Sequence, residues 1–340
     1  MSSFDTTRDD ETWSAWLADA GVDDVYYSAS YAAIWAREER GSFIGIRYES
    51  ATGRMLYPLL LVPLDSLPGG AGLVEARTPY DFGGPRGDSA DLVQLHEEFR
   101  TALVAWLRSH RVVSEFARIH PLCEGGRPAD AKIHAQNFIV DLSLAYDDLF
   151  SSQHRRHRRA VRAFARRNGD ADVISDISPA DASSFVELYD RTMRRVGASS
   201  DYHFTRETLS ALMSLEEMCL MRATGETGTG GAAIFLRSGS DLFYFLGASA
   251  DDRPPGTNNA IFDAAIRHAQ ARGLRTLHLG GGSESLRAFK SQIATGTVPY
   301  SLVQRIVDAP RYAALCEACD SSDSTHFPAF RSKLVEQRQG

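Results

Sequence analysis

The sequence predicts an α+β protein built from two related domains. The chain has 340 residues and a hydrophobic content of 43%, which exceeds the usual size of one domain and is sufficient for two cores. The order hairpin, helix, strand also occurs twice, about two hundred residues apart. We therefore expect tandem domains with mixed sheets flanked by helices, rather than a short-period repeat.

The first copy of this order lies in the N-terminal part of the chain. Residues 43–49 and 55–62 are rich in strand-forming side chains and are separated by a Ser-Ala-Thr-Gly turn, which predicts a hairpin. Apolar residues recur every three or four positions over residues 89–110. This spacing predicts an amphipathic helix that Asp88 would cap. A strand is expected over residues 112–120.

The second copy lies in the C-terminal half. Its predicted elements are strands over residues 218–222, 231–237, 242–248 and 274–279 and a helix over residues 257–272. Gly273 is placed to end that helix. Since the loop at residues 141–148 marks the boundary, we expect a first domain of residues 1–145, completed by residues 301–340, and a second domain of residues 146–300.

One segment of this acidic chain is strongly basic. The formal charge of the whole protein is −7, which argues against DNA binding or a surface that contacts nucleic acid throughout. Residues 151–168 nevertheless contain seven arginines and no acidic residue, and their apolar side chains share one helical face. This helix either lies solvated on its domain or contacts RNA phosphates through Arg155, Arg156, Arg159 and Arg162.

The composition gives no indication of secretion or of a metal site. Residues 1–13 are polar and acidic, and no apolar run is long enough to cross a bilayer, so we expect a cytoplasmic protein without membrane insertion. Cys123, Cys219, Cys316 and Cys319 are too scattered for a disulfide framework. The last two form an isolated CxxC, which favours ordinary thiols on a C-terminal helix over a zinc or redox site. We expect no bound metal.

Common catalytic signatures are absent. The chain contains no GxxxxGK[ST], no GxGxxG after a strand, no GxSxG and no HExxH, so nucleotide hydrolysis, hydride transfer and metalloprotease chemistry have no support. Gly280, Gly281 and Gly282 follow a predicted strand and precede a short helix over residues 283–291. This run is either an anion-binding turn with bare amides or a tight strand-to-helix turn.

The strand-loop-helix framework of an acyl-CoA acetyltransferase is also present. The pyrophosphate loop of such enzymes resembles R-x-x-G-x-G/A and leads into a helix, whereas residues 253–259 read RPPGTNN. Pro254 and Pro255 offer no backbone N–H to a phosphate, and the glycine-poor end hinders close approach. The sequence thus predicts the framework without its cofactor loop.

Several runs together resemble one family, the Fem-type, non-ribosomal peptidyltransferases. They are TPYDFGGPRG, SSQHRRHRRAVRAFARR, LYDRTMRRVGA, FYFLGAS, NNAIFDAAIRHAQARGL, LHLGGG and LRAFK. These runs are similar to the family in kind and order and span roughly residues 78 to 300. The resemblance implies two acetyltransferase-like domains facing a channel, the first on the acceptor side and the second on the tRNA side. It also implies aminoacyl-tRNA as co-substrate and no CoA or other cofactor.

The resemblance implies catalytic roles for three residues. Phe289 and Lys290 match a Phe-Lys pair whose lysine is implicated in stabilising the oxyanion and holding the tRNA end, and Asp88 lies near an aspartate beside the acceptor. An aminoacyl ester is already activated, so the site must mainly juxtapose two substrates, stabilise the oxyanion and accept a proton at Asp88 or a substrate hydroxyl. Without the resemblance, Lys290 would be a surface lysine and Asp88 an N-cap.

The resemblance also implies a substrate-binding set. Arg195 matches an arginine that contacts acceptor phosphate, and Tyr244 falls in an aromatic strand that lines the acceptor channel. Tyr80, in TPYDFGGPRG, and His278, before the glycine run, complete the set. Without the resemblance, Arg195 would pair with a carboxylate, and Tyr244 and His278 would be core residues.

The chain departs from the cell-wall members of this family. Members that bind UDP-linked precursors have a lysine where this chain has Ala36 and Arg37, His278 replaces their usual acidic residue, and their long coiled-coil insertion is missing. These departures favour an alanyl-tRNA-dependent member that extends a natural-product peptide of the peptidyl-nucleoside antibiotic type, free or bound to a carrier protein. The alternatives are peptidoglycan-precursor bridge formation, an acyl-CoA N-acyltransferase and a non-catalytic RNA-binding module.

Overall fold

The computed structural model describes residues 2–122, 125–199, 202–226, 228–321 and 326–332. The chain divides into two units. The first comprises Met1–His134, Ser199–Asp201 and Pro299–Gly340, and the second comprises Ala135–Ala198 and Tyr202–Val298. The chain therefore passes into the second unit after residue 134, earlier than the expected boundary at residue 145.

The helices and strands are numbered in chain order. The helices are α1 (Asp10–Asp19), α2 (Ala29–Glu38), α3 (Leu92–Ser109), α4 (Tyr146–Ser152), α5 (Arg155–Asn168), α6 (Pro179–Val196), α7 (Arg206–Met213), α8 (Thr257–Ala271), α9 (Glu284–Lys290) and α10 (Ala309–Ala318). The strands are β1 (Ser3–Thr7), β2 (Ser42–Glu49), β3 (Arg54–Pro63), β4 (Val74–Arg77), β5 (Arg86–Asp88), β6 (Val112–Ile119), β7 (Lys132–Asp141), β8 (Asp172–Ile174), β9 (Met218–Gly225), β10 (Gly228–Ser238), β11 (Asp241–Ser249), β12 (Thr276–Gly280) and β13 (Gly296–Ile306).

The sheet of the first unit has the order β1-β2-β3-β4-β6-β13, and β5 pairs with β3. β2 and β3 form the predicted hairpin, which closes with Glu49 opposite Arg54. β4 is parallel to β6, whereas β13 is antiparallel to it. α3 buries the apolar face that its spacing predicted, including Phe99 and Leu103.

Asp88 does not cap α3. The residue ends β5 and lies opposite Arg54 of β3, and the helix begins only at Leu92. Asp91 is the N-cap, and its carboxylate accepts a hydrogen bond from Gln94 N at 2.9 Å. The predicted cap is wrong because the spacing of apolar residues does not reveal a strand as short as β5.

Two buried carboxylates fix the C-terminal segment to the first unit. Glu115 in β6 accepts hydrogen bonds from Tyr57 Oη, at 2.8 Å, and from Arg305, its cross-strand neighbour in β13. Glu75 in β4 pairs with Arg331. Burial raises the pKa of Glu115, so the carboxylate depends on its arginine partner to stay charged. Since a buried charge is costly without a partner, these pairs hold β13 and the segment around Arg331 against β4 and β6.

The sheet of the second unit has the order β7-β12-β11-β10-β9-β8. β9, β10 and β11 are antiparallel neighbours, whereas β11 and β12 are parallel and are connected through α8. Gly256 and Gly273 flank α8 with φ angles of 91° and 69°. The helix buries Ile261, Phe262 and Ile266 in the core of the unit. This arrangement confirms the predicted order of elements in the second copy.

The predicted basic helix is α5, which contains all seven arginines but begins at Arg155 rather than at residue 151. His154 Nδ1 accepts a hydrogen bond from Arg156 N at 3.2 Å and caps α5, which separates it from the preceding α4. Val161 and Phe164 are buried, as the apolar spacing predicted. α5 is therefore an amphipathic helix whose charged sides are free to face solvent.

Other expectations concern membranes, thiols and metals. None of the described helices combines the length and apolar character needed to span a membrane, and the longest of them, α3 and α6, have 18 residues each. Cys219, Cys316 and Cys319 are free thiols, whereas Cys123 lies outside the described residues. In the part of the chain that the structure describes, no group of three or more His, Cys, Asp or Glu side chains could hold a metal ion.

Candidate functional site

Lys290 is buried in the second unit although it ends a short helix. Only 4% of the residue is exposed. Its Nζ donates a hydrogen bond to Gly281 O at 2.6 Å and lies 5.0 Å from the centroid of the Tyr244 ring. Burying an ammonium group is costly, and an aromatic face and a carbonyl both favour its charged form. The surface-lysine interpretation is therefore wrong.

Tyr244 and Phe289 join Lys290 in one aromatic cluster. Tyr244 in β11 contacts Phe262 of α8 at a ring distance of 5.0 Å, and Phe262 contacts Phe289 at 5.7 Å. Burial raises the pKa of Tyr244 to about 12, so its hydroxyl stays protonated at neutral pH and can donate a hydrogen bond. The structure thus brings together three of the residues predicted from the sequence.

The cluster follows the point where β11 and β12 stop pairing. Their parallel ladder ends with Phe243 opposite His278, although both strands continue. β11 also carries a bulge at Phe245 in this stretch. Tyr244 is the first residue of β11 beyond the paired segment. Because bulges and interrupted pairing expose backbone within a sheet, this is a place where a substrate can approach.

Each of the three glycines before α9 is required for a physical reason. Gly280 and Gly282 have φ angles of 72° and 122°, which glycine adopts at low cost. At Gly281 a Cβ would lie 2.9 Å from Asn137 Oδ1. Gly281 O in this turn accepts a hydrogen bond from the Lys290 ammonium. Because the turn presents a carbonyl oxygen to a cation here, the geometry agrees with a tight strand-to-helix turn rather than with an anion-binding turn.

His278 belongs to a buried network with Asn137, a residue that sequence reasoning missed. Asn137 is 5% exposed and His278 1% exposed, and Asn137 Nδ2 donates to His278 Nε2 at 3.3 Å. The preceding Gln136 O accepts from Arg287 Nη1 of α9 at 2.8 Å. β7 thereby contacts β12, the glycine turn at Gly281 and α9. No local signal singles Asn137 out, because polar residues also occur elsewhere along β7.

Arg195 is held by the end of β11. Its guanidinium donates to Ser249 O at 2.8 Å and to Ser249 Oγ at 3.2 Å, and it pairs with Asp251. The carboxylate-pairing interpretation of Arg195 is therefore correct for this structure. A substrate phosphate would have to replace Asp251, whose side chain is 80% exposed.

The arginines of α5 lie on its solvent side. Arg155, Arg156, Arg159 and Arg162 are exposed, and no carboxylate among the described residues pairs with any of them. Arg162 also lies 5.3 Å from the centroid of the Phe150 ring. Four uncompensated positive charges on one helix create a local positive potential on an acidic protein.

α5 is anchored beside the turn that follows Lys290. His154 N donates to Gln292 O at 3.0 Å, and Gln153 Nε2 donates to Ile293 O at 3.2 Å. Gln153 is 5% exposed, so this contact is shielded from water. The basic helix therefore begins within a few residues of the buried lysine.

α5 also packs on the start of α8. The Ala160 carbonyl oxygen would be 2.8 Å from a Cβ placed on Gly256. Both the N–H and the hydroxyl of Thr257 donate to Pro254 O, at 3.2 and 2.7 Å. The amides that would bind a pyrophosphate at this helix start are thus partly used within the loop and covered on the α5 side.

Two predicted residues, Tyr80 and Asp88, belong to the first unit. Tyr80 stacks on Trp35 at a ring distance of 4.6 Å, and Tyr31 Oη donates to the Tyr80 carbonyl at 2.8 Å. Asp88 is exposed at the end of β5.

Comparison with known proteins relates this geometry to a fold family. Residues 151–291 match the family model of the acetyltransferase (GNAT) domain. The second unit is an acetyltransferase-like domain. No curated protein sequence matches the chain.

Solved structures extend the likeness over most of the chain. The crystal structure of FemX aligns with a TM-score of 0.65 at 14% sequence identity, and the alignment covers 91% of this chain and 99% of the FemX chain. L-PGS from Bacillus licheniformis has a TM-score of 0.56 at 14% identity, with coverages of 96% and 97%. The C-terminal domain of a putative lysylphosphatidylglycerol synthetase from Agrobacterium fabrum has a TM-score of 0.52 at 16% identity, with coverages of 85% and 90%. The predicted tandem acetyltransferase-like fold is confirmed, and the resemblance to Fem-type transferases is confirmed at the level of the fold.

Proposed function

We propose that this protein transfers an aminoacyl group from charged tRNA to the amine of a peptide acceptor. The observation that carries the proposal is the position of α5, whose exposed arginines begin beside the turn after Lys290. Such arginines can contact acceptor-stem phosphates without reading sequence, while the 3′ ester extends to the buried lysine. The sequence resemblance to Fem-type transferases supports the same donor.

We assign the Lys290 ammonium to the oxyanion of this reaction. Attack of the acceptor amine on the ester carbonyl forms the C–N bond and places negative charge on the carbonyl oxygen. Collapse then breaks the C–O bond and releases the tRNA 3′ hydroxyl. Because Gly281 O and the Tyr244 ring already hold Nζ in place, it can meet the developing charge with little reorganisation. We assign the amine proton to a relay through a substrate hydroxyl to the departing 3′ oxygen, since Asp88 is exposed at a strand end.

The start of α8 supports a donor other than acyl-CoA. Pro254 and Pro255 supply no N–H groups, Thr257 already donates to Pro254 O, and Ala160 O packs beside Gly256. A pyrophosphate would therefore meet few available amides at this helix start. The protein in this proposal uses no cofactor, and aminoacyl-tRNA is its co-substrate.

We further propose alanine as the transferred residue and a natural-product peptide as the acceptor. Ala36 and Arg37 stand where UDP-binding members of the Fem-type family have a lysine, which supports a peptidyl-nucleoside type of acceptor over a UDP-muramoyl peptide. The acceptor is then either free or tethered to a carrier protein. Efficient transfer to a UDP-muramoyl peptide would show that this choice of acceptor is wrong.

The experiment is transfer of radiolabelled amino acids from a mixed pool of charged tRNAs to small peptide amines. We expect a labelled amide product that disappears after ribonuclease treatment of the donor. Lys290→Ala should lower the rate by about 10²- to 10³-fold, as loss of an oxyanion donor does. Lys132→Ala, at an exposed lysine, is the control and should keep the wild-type rate. An unchanged rate in Lys290→Ala contradicts the assignment of the oxyanion.

The match to the acetyltransferase (GNAT) domain favours an acyl-CoA N-acyltransferase as the second candidate. Thermal stabilisation by acetyl-CoA, together with transfer from acyl-CoA and none from charged tRNA, would establish it. Affinity for tRNA without transfer from any donor would instead establish a non-catalytic RNA-binding module.

A further inference from the structure

Arg118 is a partly buried cation in the first unit that the proposed chemistry does not use. It lies on β6, and its guanidinium carbon is 5.3 Å from the Tyr80 ring centroid and 5.2 Å from that of Phe116. Its guanidinium donates a hydrogen bond to the side chain of Tyr300, and among the described residues none of the ion pairs of the first unit includes it. By contrast, Arg77 pairs with Glu39 and Arg305 pairs with Glu115.

The absence of a direct carboxylate ion pair at Arg118 has an energetic consequence. A guanidinium that loses water on burial needs compensation, and aromatic faces supply only part of it. Burial opposes the charge of Arg118, but Tyr300, Tyr80 and Asp81 act on it electrostatically and, together with the hydrogen bond to Tyr300, outweigh burial and raise the pKa of Arg118. A guanidinium has five N–H donors, so the donors that Tyr300 does not use are suited to an anion that comes from outside the chain.

The backbone around Arg118 is fixed from both sides. Arg118 N donates to Thr78 Oγ1 at 3.2 Å, and Gly83 N donates to Arg118 O at 2.9 Å. Tyr80, between these two contacts in sequence, stacks on Trp35 at 4.6 Å. The segment 78–83 thus runs alongside β6 and holds the Tyr80 ring next to the Arg118 guanidinium. Such prior ordering reduces the entropy that binding a ligand would cost.

The same segment contains a strained residue. Asp81 has a φ of 67°, in the left-handed region that costs a non-glycine residue roughly 1–2 kcal/mol. Its carboxylate accepts a hydrogen bond from Tyr26 Oη at 3.0 Å. Strain of this kind persists where the surroundings impose it, and it concentrates at binding and catalytic sites.

We propose that Arg118, with Tyr80 and Phe116 beside it, is the binding site for an oxyanion, and that this oxyanion is a carboxylate of the acceptor peptide. The planar fork of a guanidinium matches the two oxygens of a carboxylate, and the flanking rings suit the apolar part of a peptide. Only the statement that the anion belongs to the acceptor rests on the proposed function. The anion site itself follows from the first unit alone.

The test compares trialanine with trialanine amide, which differ only in the C-terminal carboxylate. Saturation-transfer NMR on the full chain measures their binding, and inorganic phosphate is added as a competitor. We expect trialanine to bind at least about tenfold more tightly than the amide, which corresponds to the loss of one charge-assisted contact. Arg118→Gln should remove this preference, whereas Arg8→Gln, at an exposed arginine, should keep it.

Arg118→Lys covers the case in which Arg118→Gln does not fold. It keeps the charge but loses the bidentate fork, so we expect weaker trialanine binding with thermal unfolding near that of the wild type. Equal binding of the two peptides, or a preference that persists in both variants, overturns the carboxylate site. Phosphate binding that depends on Arg118 and is tighter than that of trialanine overturns the peptide source in favour of a phosphate group.

The anion site at Arg118 and the proposed function can be refuted independently of each other. If ribonuclease-sensitive transfer occurs and Arg118→Gln leaves the KM of a carboxylate-bearing acceptor unchanged, the inference about Arg118 is wrong and the proposed function stands. If trialanine binding depends on Arg118 but no charged tRNA donates, the anion site stands and the proposed function is wrong.

Discussion

A stripe of three arginines on α5 is the most direct test of the proposed tRNA interface. Arg155, Arg159 and Arg162 are spaced by four and three residues, so they project from one side of the helix, and all three are exposed. Changing them together to glutamine removes three charges without altering the buried face formed by Val161 and Phe164.

The magnitude follows from counterion release. Each phosphate contact contributes about −0.9 to the slope of log K against log salt on duplex nucleic acid. Loss of three contacts should make the slope shallower by about 2.7. If the affinities of variant and wild type converge near 1 M salt, the variant should bind about 500-fold more weakly at roughly 0.1 M.

The assay is fluorescence anisotropy of labelled tRNA over a series of salt concentrations. The control changes Arg8, Arg37 and Arg206, which are exposed arginines outside α5, to glutamine and so alters the net charge equally. An unchanged slope in the α5 variant, or an equal loss in the control, would refute the reasoning, because either result means that the attraction is diffuse rather than located on α5.

Two further predictions concern the buried groups of the second unit. Gly281→Ala should lower kcat, because the added Cβ would lie 2.9 Å from Asn137 Oδ1 and displace the turn that holds Lys290. Adding Asn137→Ala should restore part of the lost kcat. Purely additive effects of the two substitutions in this double-mutant cycle would contradict the contact. Burial lowers the pKa of His157 to about 4, below its ordinary 6.5. At pH values between about 4 and 6.5, the unfolded chain therefore binds more protons at this residue than the folded chain does. The free energy of unfolding should therefore be unaffected by this group above pH 6.5 and fall by up to about 3 kcal/mol as the pH falls to about 4. Urea unfolding at several pH values should show that His157→Gln lacks this component and that exposed His154→Gln retains it; the same pH dependence in both variants would assign the effect elsewhere.

The candidate site could be predicted only in part. Lys290, Phe289 and Tyr244 lie in contiguous runs that resemble one family, and the structure brings them together. Asn137 and Arg118 carry no local motif, because their importance comes from contacts with residues distant in the chain. Such contacts are not encoded in residue spacing.

Asp88 and the basic helix show how local reasoning fails at the ends of elements. An aspartate before an amphipathic run predicts a cap, but Asp91 is the residue whose carboxylate reaches a helical N–H. The basic run predicts one helix from residue 151, and α5 contains all of its arginines, but capping by His154 makes the helix begin at Arg155. In both cases neighbouring residues of similar propensity compete, and hydrogen bonds formed in the folded chain select between them.

The sequence by itself determined the elements of both copies and the amphipathic faces of α3 and α5, because these depend on periodicity. It also indicated the tandem acetyltransferase-like fold, through the resemblance of several short runs to one family. Only the tertiary structure decided that Lys290 is buried, that Arg195 pairs with Asp251 and that α5 begins beside the turn after α9. Burial and ion pairing depend on which distant segments pack together. A residue's type and position in the chain do not specify those partners.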